Sequence, residues 1–187
     1  MKKFIIIVSM LVGLSLLSCS SDNENKVGGE VVINGESYEL KKGIIVISND
    51  QKTFHILLAN GEVFYDPNRS YKEGPYYFSD NTTQYIDFEM HGAIGNAGNI
   101  ESAIYSFPND KPNFDYNTPY MHYVGVYTNL ITINGIVSSF EWLNSDNMTG
   151  QAELTKVGDA YKITFSYGNQ QNAVSGTYSG PLNRVEN

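Results

Sequence analysis

The feature that most constrains the fold is a series of short strand-like segments separated by turn residues. No window between residues 30 and 184 shows convincing helical periodicity. Asn-Gly pairs, the strongest short-range signal for a β-hairpin, stand between such segments at Asn34-Gly35, Asn60-Gly61 and Asn134-Gly135. The 14 tyrosines and nine phenylalanines are also typical of strands. The sequence therefore predicts an all-β domain and leaves open whether it is a single antiparallel β-barrel or a two-sheet β-sandwich.

Three segments indicate how the strands are buried. Residues 43–48 form a continuous apolar run, which favours a strand covered on both faces. Residues 53–59 follow after a short turn, so we expect them to pair with that run. Residues 84–91 alternate, which predicts that Ile86, Phe88 and Met90 face the core while Tyr85, Asp87, Glu89 and His91 lie on the opposite face.

The rest of the chain is expected to continue in the same way. Strands are predicted at residues 36–40, 102–107, 121–128, 130–133, 150–157, 161–167 and 173–179. Loops are predicted at residues 65–80, 92–99 and 108–119, and residues 137–143 fit either a strand or a short helical turn. A loop as long as residues 108–119 is usually functional or disordered.

The N-terminal segment predicts export. Lys2 and Lys3 precede 14 mostly apolar residues, 4–17, a run shorter than the roughly 20 that a membrane-spanning helix needs. A positive start, a short apolar run and a small residue before the cut are typical of a secretory signal peptide. The run ends at Cys19, the single cysteine of the chain.

Leu16, Ser18 and Cys19 resemble the lipobox of bacterial lipoproteins, although Leu17 is bulkier than the residue usual there. The resemblance implies that residues 1–18 are removed and that Cys19 becomes an acylated first residue. Two or three acyl chains, at about 0.8 kcal/mol per buried methylene, hold a protein at a bilayer. Residues 19–29 are then expected to form a flexible tether, and residues 30–187 the β domain.

Two further stretches, residues 150–165 and 174–182, resemble the ends of small lipoproteins of the Bacteroidota, as does the opening at residues 34–38. The resemblance implies an outer-membrane location and carries no general activity. In that group, acidic residues just past the cysteine favour display on the outer face. Here Asp22 and Glu24 are separated by Asn23, so the domain is expected to be either surface-exposed or periplasm-facing.

The charge balance argues against a nucleic-acid partner. Removal of residues 1–18 takes away Lys2 and Lys3 and leaves 10 basic against 20 acidic residues, a net charge of −10. Binding of phosphates requires clustered Lys and Arg.

No motif identifies a catalytic centre, and we expect neither a metal nor a cofactor. His55, His91 and His122 are far apart in sequence and lack metal-ligand spacing. Asp87 and Glu89 share one strand face about 6.5–7 Å apart, a spacing that overlaps the carboxylate separation of inverting glycosidases. A glycan hydrolase that uses this pair is the less favoured alternative, because polar residues line the solvent face of any alternating strand.

Aromatic residues in two of the predicted loops are the candidate ligand-binding residues. They are Tyr71, Tyr76, Tyr77, Phe114, Tyr116 and Tyr120. The hypothesis is a binding module for a glycan, a peptide or a protein partner. The same rings could instead cap the core, since tyrosine commonly buries its ring and keeps its hydroxyl in water. A second hypothesis is a structural component that assembles by strand exchange, with residues 173–179 or the first strand available for pairing.

The lipid anchor gives the first testable prediction. Intact-mass measurement of the membrane fraction should show residues 19–187 carrying acyl chains. Cys19→Ser should lack the acyl mass and leave the membrane fraction, because no other residue supplies the thiolate for alkylation. Ser20→Ala, one residue further on, should keep both. An unmodified Cys19 in the membrane fraction would contradict the prediction.

Overall fold

The computed structural model describes residues 27–50, 52–69, 74–92, 94, 100–108, 115, 117–143 and 147–186. Strands dominate this part of the chain, so the predicted all-β class is confirmed. Cys19 lies outside the described residues. The fourteen strands are β1 (Gly28–Ile33), β2 (Glu36–Leu40), β3 (Lys42–Ile47), β4 (Thr53–Ala59), β5 (Val63–Tyr65), β6 (Tyr76–Phe78), β7 (Tyr85–His91), β8 (Ala103–Ser106), β9 (Tyr120–Ile133), β10 (Ile136–Leu143), β11 (Thr149–Val157), β12 (Ala160–Gly168), β13 (Ala173–Gly180) and β14 (Asn183–Glu186).

Twelve strands form one large sheet, and β5 and β6 form a small second sheet. The large sheet runs in the order β14-β3-β4-β7-β9-β8-β11-β12-β13-β1-β2, and β10 pairs with β9. Its pairings are antiparallel except for β14 with β3 and a single bridge between β8 and β9. Pairing among the described strands does not close the sheet into a barrel. Two halves of the sheet instead face each other across a core, as the layers of a sandwich do.

The main core lies between these two halves. Phe88 on β7 is fully buried, and its ring lies 5.1 Å from the ring of Phe165 and 6.3 Å from that of Tyr167, both on β12. Phe54 on β4 makes an edge contact of 5.7 Å with Tyr105 on β8. Burial alternates along β7 as the sequence predicts, because successive side chains of a strand point to opposite faces.

A smaller second core lies on the outer face of β3 and β4. Ile44, Val46 and Leu57 pack there against Val63 and Phe78 from the β5–β6 sheet. The prediction that residues 43–48 form a strand buried on both faces is therefore confirmed, with β3 ending at Ile47.

The Asn-Gly pairs behave in two different ways. Asn34 and Gly35 have φ values of 51° and 91°, and Asn134 and Gly135 of 54° and 77°, as two-residue hairpin turns require. The hairpin predicted at Asn60-Gly61 is wrong: β4 pairs with β3 and β7, and β5 pairs with β6. Asn60 Oδ1 instead accepts hydrogen bonds from the backbone N–H groups of Thr83 and Gln84 as the chain crosses to the second sheet.

The domain begins two residues earlier than predicted. Gly28 and Gly29 were expected in the tether but pair with Ser179 and Tyr178 of β13. A Cβ atom on Gly29 would lie 1.8 Å from the carbonyl oxygen of Thr177. Gly29 therefore allows β1 and β13 to approach closely, and it is not part of a flexible tether.

The C-terminal end also differs from the prediction. Residues 173–179 were a candidate exposed strand for exchange, but β13 lies between β12 and β1, and β1 lies between β13 and β2. β13 therefore has no free edge, so the expected exposed strand is wrong, whereas assembly through a first strand that detaches stays a prediction. The chain then continues into β14, which pairs in parallel with β3 and was not predicted. Residues 137–143 are confirmed as a strand, and the predicted strands 121–128 and 130–133 are one strand that bends at Asn129, where φ is 52°.

The central position of Phe88 gives a stability prediction. Phe88→Ala should lower the free energy of unfolding by about 3–5 kcal/mol, because it removes a fully buried ring from between the two halves of the sheet. Ile104→Ala, at an exposed position on β8, should change it by no more than about 0.5 kcal/mol. Urea denaturation followed by the fluorescence of the single tryptophan measures both. Equal losses in the two variants would contradict this account of the core.

Candidate binding surface

The outer face of β4, β7 and β9 brings polar and aromatic side chains together. The alternation of β7 puts Tyr85, Asp87 and Glu89 on this face. In register, Glu89 lies between His55 and Tyr123, while Tyr85 is opposite Tyr127. The β5–β6 sheet covers only part of the face, so a border remains between buried and solvated side chains.

Each carboxylate on this face has a histidine partner. Asp87 Oδ1 lies 3.0 Å from His55 Nδ1, and Glu89 Oε1 lies 2.9 Å from His122 Nδ1. Burial of His55 disfavours its charged form, but the hydrogen bond and negative charge of Asp87, with a further contribution from Glu89, outweigh it and raise the pKa of His55 above 6.5. The Asp87–His55 pair is thus held as an ion pair over a wider pH range than a free histidine allows.

A row of four aromatic rings in contact crosses the face from the second core to solvent. Phe78 is buried and lies 4.6 Å from Tyr85, Tyr85 stacks on Tyr127 at 4.3 Å with an interplanar angle of 8°, and Tyr127 makes a 5.4 Å edge contact with Phe140. Trp142 on β10 pairs in register with Tyr127. Phe140 is 52% exposed and Trp142 49%. We call Tyr127, Phe140 and Trp142 the aromatic platform.

A glycine lets the row form. Gly125 lies between Tyr123 and Tyr127, whose hydroxyl oxygens are 3.1 Å apart. A Cβ atom on Gly125 would come within 2.5 Å of the Tyr127 ring and 2.7 Å of the Tyr123 hydroxyl. Burial, together with neighbouring tyrosines and the charge of Asp87, raises the pKa of both Tyr85 and Tyr127. Their hydroxyls therefore stay neutral and can act as donors.

The aromatic residues singled out from the sequence do not form one site. Tyr76 lies over the polar face, with its ring 6.4 Å from that of His55. Tyr77 stacks on Phe64 at 4.9 Å and lies under the guanidinium of Arg69, whereas Tyr120 stacks on His91 at 5.0 Å. Tyr71, Phe114 and Tyr116 lie outside the described residues. Different partners hold the three described rings, and none of them belongs to the platform.

The sequence did not single out the platform residues. Phe140 and Trp142 fall in residues 137–143, whose pattern fits either a strand or a short helical turn. Tyr127 lies in the predicted strand 121–128, and the sequence does not indicate which strand pairs with it. Phe140 and Trp142 are two positions apart, so they would lie on the same face of a strand. This spacing is the sequence signal that could have indicated an aromatic surface.

Asp87 and Glu89 are hydrogen-bonded to different histidines, Asp87 to His55 and Glu89 to His122. No three His, Cys, Asp or Glu side chains among the described residues are grouped to hold a metal ion. A cavity of about 1140 Å³ opens at the other end of the domain, between the β12–β13 turn and the start of β11. It is lined by amide side chains such as Asn147, Gln170 and Gln171, and no described residue of the loops 65–80 and 108–119 borders it.

Comparisons with known proteins add no family to this description. The chain matches no protein-family model, no curated protein and no solved structure. Within the described part of the chain, no helix has the length and apolar character needed to cross a membrane.

The Asp87–His55 pair predicts a pH dependence of stability. Because the pKa of His55 is raised by folding, its stabilising contribution is complete below 6.5 and is lost as the pH rises through the higher folded-state value. The free energy of unfolding should therefore decline over this interval, and Asp87→Asn should flatten the decline. Urea titrations at a series of pH values measure it. Glu153→Gln, which removes an exposed carboxylate on β11, serves as the control and should keep the wild-type slope. Parallel curves for wild type and Asp87→Asn would refute the assignment.

Proposed function

We propose that this protein is an envelope lipoprotein, anchored through acylated Cys19, that binds a neutral glycan on the aromatic platform. The observation that carries the proposal is the pair of half-exposed rings, Phe140 and Trp142, beside a rigid stack of tyrosines. The anchor is supported by the resemblance of Leu16, Ser18 and Cys19 to a lipobox. It places the domain at the outer membrane, on the cell surface or facing the periplasm.

A sugar ring fits the chemistry of the platform. The face of an aromatic ring carries partial negative charge, which attracts the weakly positive C–H groups on one face of a pyranose. The stack on Tyr85 fixes Tyr127 before any ligand arrives, so little conformational entropy is lost on binding. The hydroxyls of Tyr123 and Tyr127 and the carboxylate of Asp87 lie on the same sheet face and supply hydrogen-bonding groups to sugar hydroxyls.

The negative charge of the protein favours neutral glycans over acidic ones. The mature chain carries a net charge of −10, and Asp87 and Glu89 lie on the same face as the platform. Like charges across an interface are unfavourable, so uronic acids and sulfated sugars are poor ligands. Neutral sugars avoid this repulsion.

The binding proposal is tested with the full-length protein in detergent. A glycan array identifies the neutral oligosaccharide that binds best, and titration calorimetry measures its Kd. Phe140→Ala with Trp142→Ala should weaken binding at least about tenfold, since buried aromatic anchors commonly contribute more than 1.4 kcal/mol to an interface. Phe140→Tyr with Trp142→Phe keeps two aromatic faces and should bind within a few-fold of wild type.

The matched control removes two equally exposed apolar side chains elsewhere, Ile104→Ala with Val157→Ala, and should leave the Kd unchanged. An array pattern that the platform variant does not alter would overturn the proposal. Preferential binding of acidic glycans would overturn the argument from charge.

A further inference from the structure

The tip of the β9–β10 hairpin exposes apolar side chains that nothing in the described structure covers. Ile131, Ile133 and Ile136 are 57%, 59% and 41% exposed. Ile133 and Ile136 are directly opposed across the hairpin. We call these three residues the isoleucine tip.

Only one side of the hairpin is packed. Thr132 and Val137 are opposed to each other, Thr132 Oγ1 donates a hydrogen bond to the carbonyl of Ser79, and Val137 packs against the second core. Side chains of neighbouring residues point the other way. The isoleucine tip therefore lies on the side that faces away from the β5–β6 sheet.

The hairpin projects from the end of the domain where the chain enters it. Gly29 pairs with Leu40 in the first hairpin, and the next residue, Lys41, donates its backbone N–H to the carbonyl of Ala59. Ala59 pairs with Tyr85, and Tyr85 with Tyr127, so these residues lie at one level of the sheet. β9 continues six residues past Tyr127 to Ile133, away from the bulk of the sheet. The isoleucine tip and Val27 thus lie at the same end, and the amide-lined cavity lies at the opposite one.

Covalent geometry limits how far this end can be from the anchor. Seven residues stand between Cys19 and Val27, and the eight steps from one to the other span at most about 30 Å when the chain is fully extended. The bilayer that holds the acyl chains is therefore within reach of the end that carries the isoleucine tip.

The charged side chains at this end of the domain do not favour binding to an anionic lipid surface. Lys41 and Lys42 lie there, but Lys41 pairs with Glu39 at 3.1 Å and Lys42 with Glu62 at 2.9 Å. Electrostatic attraction to anionic lipid needs unpaired basic clusters. The interaction that the hairpin can make with a bilayer is therefore burial of its apolar side chains, which is what holds interfacial segments in a membrane.

We propose that the isoleucine tip inserts into the interface of the bilayer that carries the lipid anchor, and so fixes the orientation of the domain on the membrane. This inference rests on the proposed anchor at Cys19. Insertion adds a second point of attachment to the one at the lipid anchor. The aromatic platform, on the outer face of the sheet, then stands beside the membrane surface and stays open to ligand.

The test uses full-length protein reconstituted into vesicles of phosphatidylethanolamine and phosphatidylglycerol. With Cys19 acylated, Ile133→Cys supplies the single free thiol for an environment-sensitive NBD label. Its emission should shift to the blue when the vesicles are added, and nitroxide-labelled lipid should quench it. Gln170→Cys, on the β12–β13 turn at the far end, should show neither effect. Intact mass and flotation report acylation and anchoring separately.

A companion variant keeps the inference falsifiable. Ile131→Ser with Ile136→Ser in the labelled protein should abolish the blue shift while flotation persists, and Ile104→Ser, at a similarly exposed isoleucine on β8, should not. Circular dichroism checks that each variant is folded.

The outcomes separate the two proposals. An acylated protein that floats with vesicles while its label at position 133 stays in water overturns the isoleucine-tip inference and leaves the anchor standing. A protein without acyl mass overturns the anchor and this inference with it. A label at position 133 that is shielded without vesicles, in a manner that depends on protein concentration, assigns the tip to contact between two copies of the chain and also overturns the inference.

Discussion

The structure depends on one constraint: β3 and β4 are apolar on both faces and need cover on each side. On the inner side, strands further along the large sheet supply it, through contacts such as that between Phe54 on β4 and Tyr105 on β8. On the outer side, Val63 and Phe78 of the small β5–β6 sheet supply it. Because β3 and β4 bury apolar side chains on both faces, the domain has three layers: the two halves of the large sheet and the small β5–β6 sheet.

The small sheet is too short to cover the whole outer face, and the candidate site arises from this mismatch. Beyond its edge, β7, β9 and β10 present side chains that are half buried. Tyr85 and Tyr127 extend the second core outward as a ring stack, and the half-exposed ring of Phe140 contacts the end of that stack. Trp142, also half exposed, is opposite Tyr127 in register. Asp87 sits beside the stack and is held by His55. A partly covered sheet face therefore combines rigidity with exposure, which is what a binding surface requires.

Much of the fold could be predicted because local signals and tertiary packing agree. The turns at Asn34-Gly35 and Asn134-Gly135 need positive φ, and Asn and Gly supply it cheaply. The alternation of residues 84–91 survives because one face is core. Asn60-Gly61 has the same letters, but there the Asn60 side chain bonds to Thr83 and Gln84 across space. A contact with residues 23 and 24 positions away leaves no trace in the local pattern.

Sequence alone determined the class of secondary structure, the hairpins at two Asn-Gly pairs and the double burial of residues 43–48. These depend on periodicity and on residues that are close along the chain. Only the tertiary structure decided that Gly29 is a contact point between strands, that β14 returns to pair with β3, and that Phe140 contacts Tyr127. Each of these is a contact between two strands, and the local sequence pattern does not indicate which strands come together. The sequence of a strand indicates which of its faces is apolar, but the fold of the whole chain decides which strand packs against each face.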